Sequence, residues 1–252
     1  MANRRDPVNY KLIIFISLAM GFLPLLSAQS TGFLDHIRIG FGGGINNSQL
    51  IDLQSYSVYE DLSGATYVNR YSSMTGNIGI QYFLHAEWYN EFLVIAIKPG
   101  TYTHRFRKLN EVIFTGETIE QETPYLLHYF SVPLEARFPF DVKRFRPYLG
   151  ATIAYSHLLS SQDASSQTFI RPRFSAGGVI GTYMELKYIT LELNVGYRSG
   201  LHNITSKSGR FESGNGGSFA QDDILLNDLQ VNFSLLFPLQ KQKNFSNTQC
   251  YY

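Results

Sequence analysis

Residues 189–198 read Ile-Thr-Leu-Glu-Leu-Asn-Val-Gly-Tyr-Arg, with apolar or aromatic side chains at the odd numbers and polar or small ones at the even numbers. Successive side chains of a β-strand point to opposite faces, so this alternation gives a strand one apolar and one polar face. The period of two recurs in residues 77–88, where Ile78 and Ile80 share one face and Gln81 lies on the other. The pattern predicts β-sheet whose two faces meet different surroundings.

Stretches of this kind recur along the chain and predict eight strands. They span residues 37–46, 77–88, 92–105, 125–138, 146–158, 171–186, 189–200 and 226–237. The third strand is apolar on both faces over residues 92–97, so its two faces cannot be assigned from the pattern.

The connections between these strands run long, short, long, short, intermediate, short and long. In chain order they are residues 47–76, 89–91, 106–124, 139–145, 159–170, 187–188 and 201–225. Transmembrane β-barrels have tight turns on the periplasmic side and long loops outside. We therefore expect an all-β, eight-stranded antiparallel up-and-down transmembrane β-barrel with both ends on the short-turn side.

A soluble barrel such as a lipocalin shows the same alternation, but it turns the apolar face inward. Two features favour the membrane barrel. Charges of both signs lie at mid-strand on the polar face, and aromatic residues gather near the short-turn ends, as in an interfacial girdle. The predicted girdle comprises Trp88, Tyr89, Phe138, Phe140, Phe145, Tyr148, Tyr188 and Phe237.

The beginning of the chain has the pattern of a secretory signal peptide. Arg4, Arg5 and Lys11 precede an apolar run over residues 12–26, and Ala28 ends a plausible cleavage site. The run is shorter than the about 20 residues that a spanning helix needs. We expect a cleaved signal peptide at residues 1–28, a barrel at 29–238 and a polar periplasmic tail at 239–252, with the protein integral to the outer membrane and in contact with its lipid.

Bulk composition excludes several classes of protein. A formal net charge of +1 argues against nucleic acid as a partner. Cys250 is the single cysteine, so no disulfide can form within the chain. The mean hydropathy of −0.11, without a second long apolar run, excludes a helical membrane protein. It does not exclude a barrel, because residues facing a polar lumen lower the average.

The polar faces of the strands send charged residues of both signs into the predicted lumen. An eight-stranded barrel encloses a lumen that side chains can fill, and buried charges need partners. The sequence therefore favours a structural salt-bridge network that plugs the barrel over an ion or proton path. Its predicted members are Arg38, Glu87, Lys98, Glu135, Arg137, Arg173, Glu185, Glu192 and Arg198.

Catalytic, cofactor and metal sites are not indicated by the sequence. Ser156 and His157 are adjacent, so they point to opposite faces of a strand and cannot act on each other as nucleophile and base. His85 and Glu87 share the lumen face and could form a hydrogen bond. The spacing of His, Cys and acidic residues matches no metal motif. We expect a non-enzymatic protein without a cofactor or metal.

Three segments of the chain resemble the PorT-like outer-membrane β-barrels of Bacteroidota. Residues 129–138, Tyr-Phe-Ser-Val-Pro-Leu-Glu-Ala-Arg-Phe, resemble the Y-x-x-I-P-L fourth strand of that family. Residues 146–151, Arg-Pro-Tyr-Leu-Gly-Ala, resemble the P-Y-L-G-A-G opening of its fifth strand, and residues 197–204, Tyr-Arg-Ser-Gly-Leu-His-Asn-Ile, its Y-x-x-G-L-x-N-I exit from the seventh. The resemblance extends over about residues 33–238.

The resemblance implies a small eight-stranded outer-membrane barrel with a structural or accessory interaction role. It also raises an accessory role in type IX protein secretion, in which the long extracellular loops or the C-terminal tail would contact proteins of the secretion machinery. Two alternatives stay open. One is a small porin-like passive channel, and the other is an outer-membrane hydrolase with a site at the rim.

Overall fold

A computed structural model describes residues 36–54, 66–71, 77–114, 117–140, 145–162, 168–186, 188–206 and 223–239. The predicted signal peptide at 1–28 and Cys250 lie outside the described residues, as does nearly all of the predicted tail. Among the residues described, no helix is both long enough and apolar enough to cross a bilayer.

Ten β-strands make up the described chain. They are β1 Ile37–Gln54, β2 Thr66–Tyr71, β3 Ile78–Tyr89, β4 Val94–Ile97, β5 Gly100–Phe114, β6 Glu117–Pro139, β7 Phe145–Gln162, β8 Pro172–Glu185, β9 Thr190–Gly200 and β10 Asp223–Pro238. β4 and β5 both pair with β3 and β6, so they are two halves of one barrel strand, interrupted at Lys98 and Pro99. Proline lacks the N–H that a continuous ladder requires.

The strands close into an antiparallel ring, because β1 pairs with β10 on one side and with β3 on the other. β2 lies outside the ring and pairs with the far part of β5. With β4 and β5 counted as one, the ring has eight strands, and the predicted eight-stranded up-and-down barrel is confirmed.

The register of the ring sets its dimensions. A path that starts at Arg38 and moves to the paired residue on each neighbouring strand in turn goes once round the ring. It returns to β1 at Ser48, ten residues further along the strand (48 − 38). This stagger over eight strands gives a tilt of about 40° and a backbone radius of about 8 Å. Such a lumen holds side chains and little else.

The polarity of the barrel is the reverse of that of a soluble protein. Leu84 on the outer face is 67% exposed and Ile153 is 59% exposed, whereas Arg137 and Glu192 on the inner face are 0% exposed. A soluble barrel would bury its apolar face and leave its charges in water. The chain thus has the fold of a transmembrane β-barrel, with an apolar exterior and a polar interior.

Gly42 in β1 leaves room inside the lumen for the aromatic ring of Phe83 on the neighbouring strand β3. A Cβ atom on Gly42 would lie 2.5 Å from the ring of Phe83 and 2.6 Å from the carbonyl oxygen of Phe233. Phe83 is buried inside the barrel. The glycine at this position therefore makes room for a large inner side chain.

Two predicted connections are wrong over much of their length, because strands continue far into them. Residues 106–124 were expected as a long loop, but β5 and β6 run on as a paired hairpin to Phe114 and Glu117. β1 likewise extends into the predicted connection 47–76, and β2 lies within it. Strands that rise beyond the apolar band mix polar and apolar residues on one face, as Leu109 and Glu111 do in β5, so they lack the alternation that marks a strand within it.

The predicted aromatic girdle is also wrong in two members. Tyr89 and Tyr148 are buried in the lumen, where their rings lie beside arginine side chains. The remaining aromatics on the short-turn side face outward, namely Trp88, Phe138, Phe140, Phe145, Tyr188 and Phe237. The backbone also settles the faces of β4, in which Val94 and Ala96 point inward.

Candidate functional site

The inner face of the barrel carries all nine of the charged residues that the alternation assigns to the lumen. Eight of them are buried, whereas the Glu185 side chain at the short-turn end is 28% exposed. Two groups result. Arg173 and Arg198 lie toward the end of the long connections, and the other seven lie toward the short turns.

Six of the seven residues near the short turns, all but Glu185, form one buried cluster together with His85, here called the short-turn network. Its members are Arg38, His85, Glu87, Lys98, Glu135, Arg137 and Glu192. Glu192 is central, because its Oε1 lies 3.2 Å from Lys98 Nζ and 3.0 Å from Arg137 Nη2. Asn194 Nδ2 donates a hydrogen bond of 2.7 Å to the same oxygen, and the hydroxyl of Tyr148 donates another.

Arg137 connects three carboxylates of the short-turn network. Its Nε donates to Glu135 Oε2 at 2.8 Å, and its Nη1 lies 3.4 Å from Glu87 Oε2. Three cations, Arg38, Lys98 and Arg137, thus face three carboxylates, Glu87, Glu135 and Glu192. A balanced network leaves no buried charge without a partner.

His85 lies between two acids of the same network. Its Nε2 is 3.3 Å from Glu87 Oε2 and its Nδ1 is 3.2 Å from Glu192 Oε2. The shared inner face of His85 and Glu87 follows from the alternation, whereas the approach of Glu192 from β9 depends on the closed ring.

A second pairing reaches the rim of the barrel at the short turns. Arg38 Nη2 lies 3.1 Å from Glu185 Oε1, and Arg146 Nη1 lies 3.3 Å from the same oxygen. The guanidinium of Arg38 also lies 3.9 Å from the centre of the Tyr89 ring. Through Arg38, the short-turn network thus connects the middle of the lumen to the rim at the short turns.

Toward the other end, both arginines contact one residue that the sequence analysis did not single out. Asp228 Oδ1 lies 2.6 Å from Arg173 Nη2, and Asp228 Oδ2 lies 3.0 Å from Arg198 Nε. Arg173, Arg198 and Asp228 are here called the Asp228 cluster. The inward orientation of Asp228 could have been predicted, because the alternation that places Val231 and Phe233 on the outer face places Asp228 on the inner face.

Above the Asp228 cluster the lumen is closed by apolar side chains, here called the cap. The cap comprises Phe106, Tyr125, Leu127, Tyr129, Leu158, Phe169, Ile204, Ile224 and Leu226, with Leu50 and Tyr71 packed against it. Phe169 stands edge-on to Phe106 at 6.0 Å and to Tyr125 at 5.7 Å, between ring centres. Phe169 and Ile204 come from connections rather than strands, and no pattern in the sequence predicted that they turn inward.

The segments that resemble PorT-like barrels supply contacts inside this lumen. Tyr129 belongs to the cap, and the hydroxyl of Tyr148 bonds to Glu192. Asn203 ties the last long connection to β10, since its Oδ1 accepts hydrogen bonds from the backbone N–H groups of Thr205 at 2.9 Å and Ile224 at 3.0 Å. These residues therefore contribute to the packing and hydrogen bonding of the barrel interior.

A serine hydroxyl and a histidine imidazole do lie within hydrogen-bonding distance of each other in the structure, a contact that the sequence did not predict. Ser48 Oγ lies 3.1 Å from His104 Nδ1, and Asn46 Nδ2 lies 3.0 Å from the same nitrogen. All three side chains are buried under the cap. Ser156 and His157 point to opposite faces, as expected, and Ser156 Oγ instead donates to Ser131 Oγ at 2.8 Å.

A metal site would need several ligands in one place. Across the described ranges, no group of three or more His, Cys, Asp or Glu side chains is placed to hold a metal ion.

Comparison with known proteins finds no matching family model and no matching curated protein. Solved structures that are similar over most of the chain include the following two. Neisserial surface protein A is 14% identical, with 79% of this chain and 96% of that chain covered and a TM-score of 0.42. The attachment invasion locus protein Ail of Yersinia pestis, solved with the heparin analogue sucrose octasulfate, is 11% identical, with coverage of 80% and 99% and a TM-score of 0.35.

Proposed function

We propose that this chain is an integral outer-membrane β-barrel with a closed lumen, which acts without enzymatic activity as an anchor for an interaction surface outside the membrane. The observation that carries the proposal is the reversed polarity of the barrel, combined with an interior filled by the short-turn network and the cap. Because the short-turn network and the cap fill the lumen, we assign its side chains to the stability of the barrel and place the interaction surface outside the lumen.

The interaction surface is the end where β5 and β6 extend beyond the barrel. Within the described chain, β6 pairs with β7 only from Leu126 onward, so residues 117–125 are paired on the β5 side alone. The paired extension formed by residues 107–114 and 117–124 is here called the arm. Glu117, Glu120 and Glu122 are exposed on it. An exposed strand edge on a rigid scaffold is a common recognition surface, and its charges and Pro124 guard it against unspecific pairing.

A narrower role in type IX protein secretion has its support in the resemblance to PorT-like barrels. In that role the arm, the other long connections or the tail at 239–252 would contact proteins of the secretion machinery. The outer surface of the barrel would contact outer-membrane lipid in either case.

A passive channel and a rim hydrolase are the less favoured functions. A channel needs a continuous water path, which the short-turn network and the cap both interrupt. A hydrolase needs a reactive pair open to substrate, whereas Ser48 and His104 lie buried beneath the cap.

The first experiment tests the closed lumen. The purified barrel, folded in detergent and shown to shift its gel migration on boiling, is inserted into planar bilayers for single-channel recording. We expect no stable open states. Stable open states at low voltage would contradict the closed lumen and favour the channel.

The second experiment tests the arm as the interaction surface. Tagged full-length protein is extracted from outer membranes in mild detergent, beside a variant in which residues 111–120 are replaced by Asn-Gly. This change joins Asn110 and Gln121, which are cross-strand partners, through a two-residue turn. We expect co-purified proteins to be lost from the variant while the barrel still folds. Equal recovery of co-purified proteins with the full-length protein and with the variant would contradict the arm as the interaction surface. If these proteins are lost only when residues 240–252 are deleted, the contact belongs to the tail.

A further inference from the structure

The Asp228 cluster holds more positive than negative charge. Arg173 and Arg198 both contact the single carboxylate of Asp228, at 2.6 and 3.0 Å. The third side chain on that carboxylate is the neutral amide of Gln230. Two guanidinium groups are therefore matched by one carboxylate in a region shielded from water.

The acids of the short-turn network are already engaged elsewhere. Glu192 contacts Lys98 and Arg137, and Glu135 contacts the same two cations. Both carboxylates therefore already have cationic partners within the short-turn network, whereas no carboxylate other than Asp228 is in salt-bridge contact with Arg173 or Arg198 among the described residues.

Several donors around the Asp228 cluster have no hydrogen-bond partner among the described residues. They include Nε and Nη1 of Arg173 and Nη2 of Arg198. Both arginines are at least 98% buried. Burying a charged donor without a partner costs more free energy than burying a neutral one.

Neutral polar groups without partners converge on the same region. They are the hydroxyls of Tyr129, Thr152 and Ser175 and Nε2 of His104. His104 interacts electrostatically with both arginines, and Tyr129 with Arg173. Ser175 is the next inward residue of β8 after Arg173. This region of the lumen lies between the cap and the short-turn network.

We propose that the lumen between the cap and the short-turn network binds a small monovalent inorganic anion of chloride size, held by the free guanidinium nitrogens of Arg173 and Arg198 and by neighbouring hydroxyl groups. A single negative charge restores neutrality beside Asp228. A divalent oxyanion would leave a net negative charge in the same buried region, which the site disfavours. The anion is a structural component of the barrel, and the site does not depend on the arm or its partners.

Bromide is the probe for the first test, because it scatters anomalously and has nearly the size of chloride. Crystals of the folded wild-type barrel are grown in sodium bromide. We expect an anomalous peak within hydrogen-bonding reach of Arg173 Nη1 and Arg198 Nη2. The proposal is overturned when ordered water alone occupies that region at high bromide concentration.

The second test measures the apparent unfolding constant in urea at fixed ionic strength, with chloride replaced stepwise by gluconate, which is too large for the lumen. A ligand that binds only the folded state lowers this constant by the factor 1 + [L]/Kd, which is about 11-fold at ten times Kd. We expect this decrease for the wild type and none for Arg173→Met, which removes the extra positive charge.

Arg105→Gln is the matched control, because Arg105 is an exposed arginine on the outer face of β5. It should keep the full response to chloride. Equal chloride responses for Arg173→Met and the wild type would overturn the proposal. If Arg173→Met does not fold, the presence or absence of the anomalous bromide peak in the wild type decides whether the proposed anion site exists.

Discussion

Arg137 Nη2 on β6 lies 3.0 Å from Glu192 Oε1 on β9, across the lumen and three strands away round the ring. Both side chains are fully buried. A contact of this kind ties opposite walls of the barrel together and occupies its cross-section. The two residues are 55 positions apart in sequence (192 − 137), so only the closed ring brings them together.

Glu192→Gln should destabilise the barrel strongly. The substitution leaves Lys98 and Arg137 with less negative charge in a buried region, and removing one partner of a buried pair costs about 3–5 kcal/mol. Reversible urea unfolding of the barrel in detergent or lipid measures the free energy of unfolding.

The control for this change is Glu122→Gln on the exposed arm. Glu122 pairs with Arg107 at 2.8 Å, but about half of each side chain is exposed to solvent. A pair of this kind contributes less than about 1 kcal/mol. Equal effects of the two substitutions would contradict a structural role for the short-turn network.

Gly42→Ala should destabilise the barrel, because the added Cβ would press on the Phe83 ring at 2.5 Å and on a β10 carbonyl at 2.6 Å. Overpacking of this kind costs about 1–3 kcal/mol. Gly178→Ala is the control, since the nearest atom to its Cβ is 3.7 Å away. Unfolding in urea measures both changes, and a Gly42→Ala barrel as stable as the Gly178→Ala barrel would rule out the close packing described.

The sequence predicted the strands within the membrane well, because a period of two is a local property and the contrast between residues such as Leu193 and Glu192 is strong. It could not predict the far ends of β5 and β6, where no lipid imposes an apolar face. The inner faces followed from alternation, but which inner side chains meet depends on the ten-residue stagger of the ring. Phe169 and Ile204 enter the cap from connections, where no periodic signal exists.

Phe169→Ala should remove an anchor of the cap. The ring packs edge-on against Phe106 and Tyr125 in a buried cluster, and truncating a buried phenylalanine costs about 3–5 kcal/mol. The lumen should stay non-conducting in planar bilayers, because the short-turn network is unchanged.

Phe92→Ala is the control for the cap, since Phe92 is 77% exposed in a short turn. Its effect on the free energy of unfolding should be much smaller than that of Phe169→Ala. If the two variants unfold alike in urea, the ring of Phe169 does not pack as the structure places it.

Leu193→Arg tests which medium the outer face meets. Leu193 lies in the middle of β9, faces outward and is 53% exposed. In a bilayer an arginine near the midplane of a barrel strand costs about 2–4 kcal/mol, and the cost falls toward the interfaces. In water the same exposed position would accept arginine at little cost. Unfolding in lipid vesicles should therefore show a large loss for Leu193→Arg and a clearly smaller one, of about 1 kcal/mol or less, for Glu122→Arg, which disturbs only an exposed ion pair beyond the apolar band. A Leu193→Arg barrel that keeps its stability in vesicles would place this face outside the hydrocarbon and contradict the membrane-spanning arrangement.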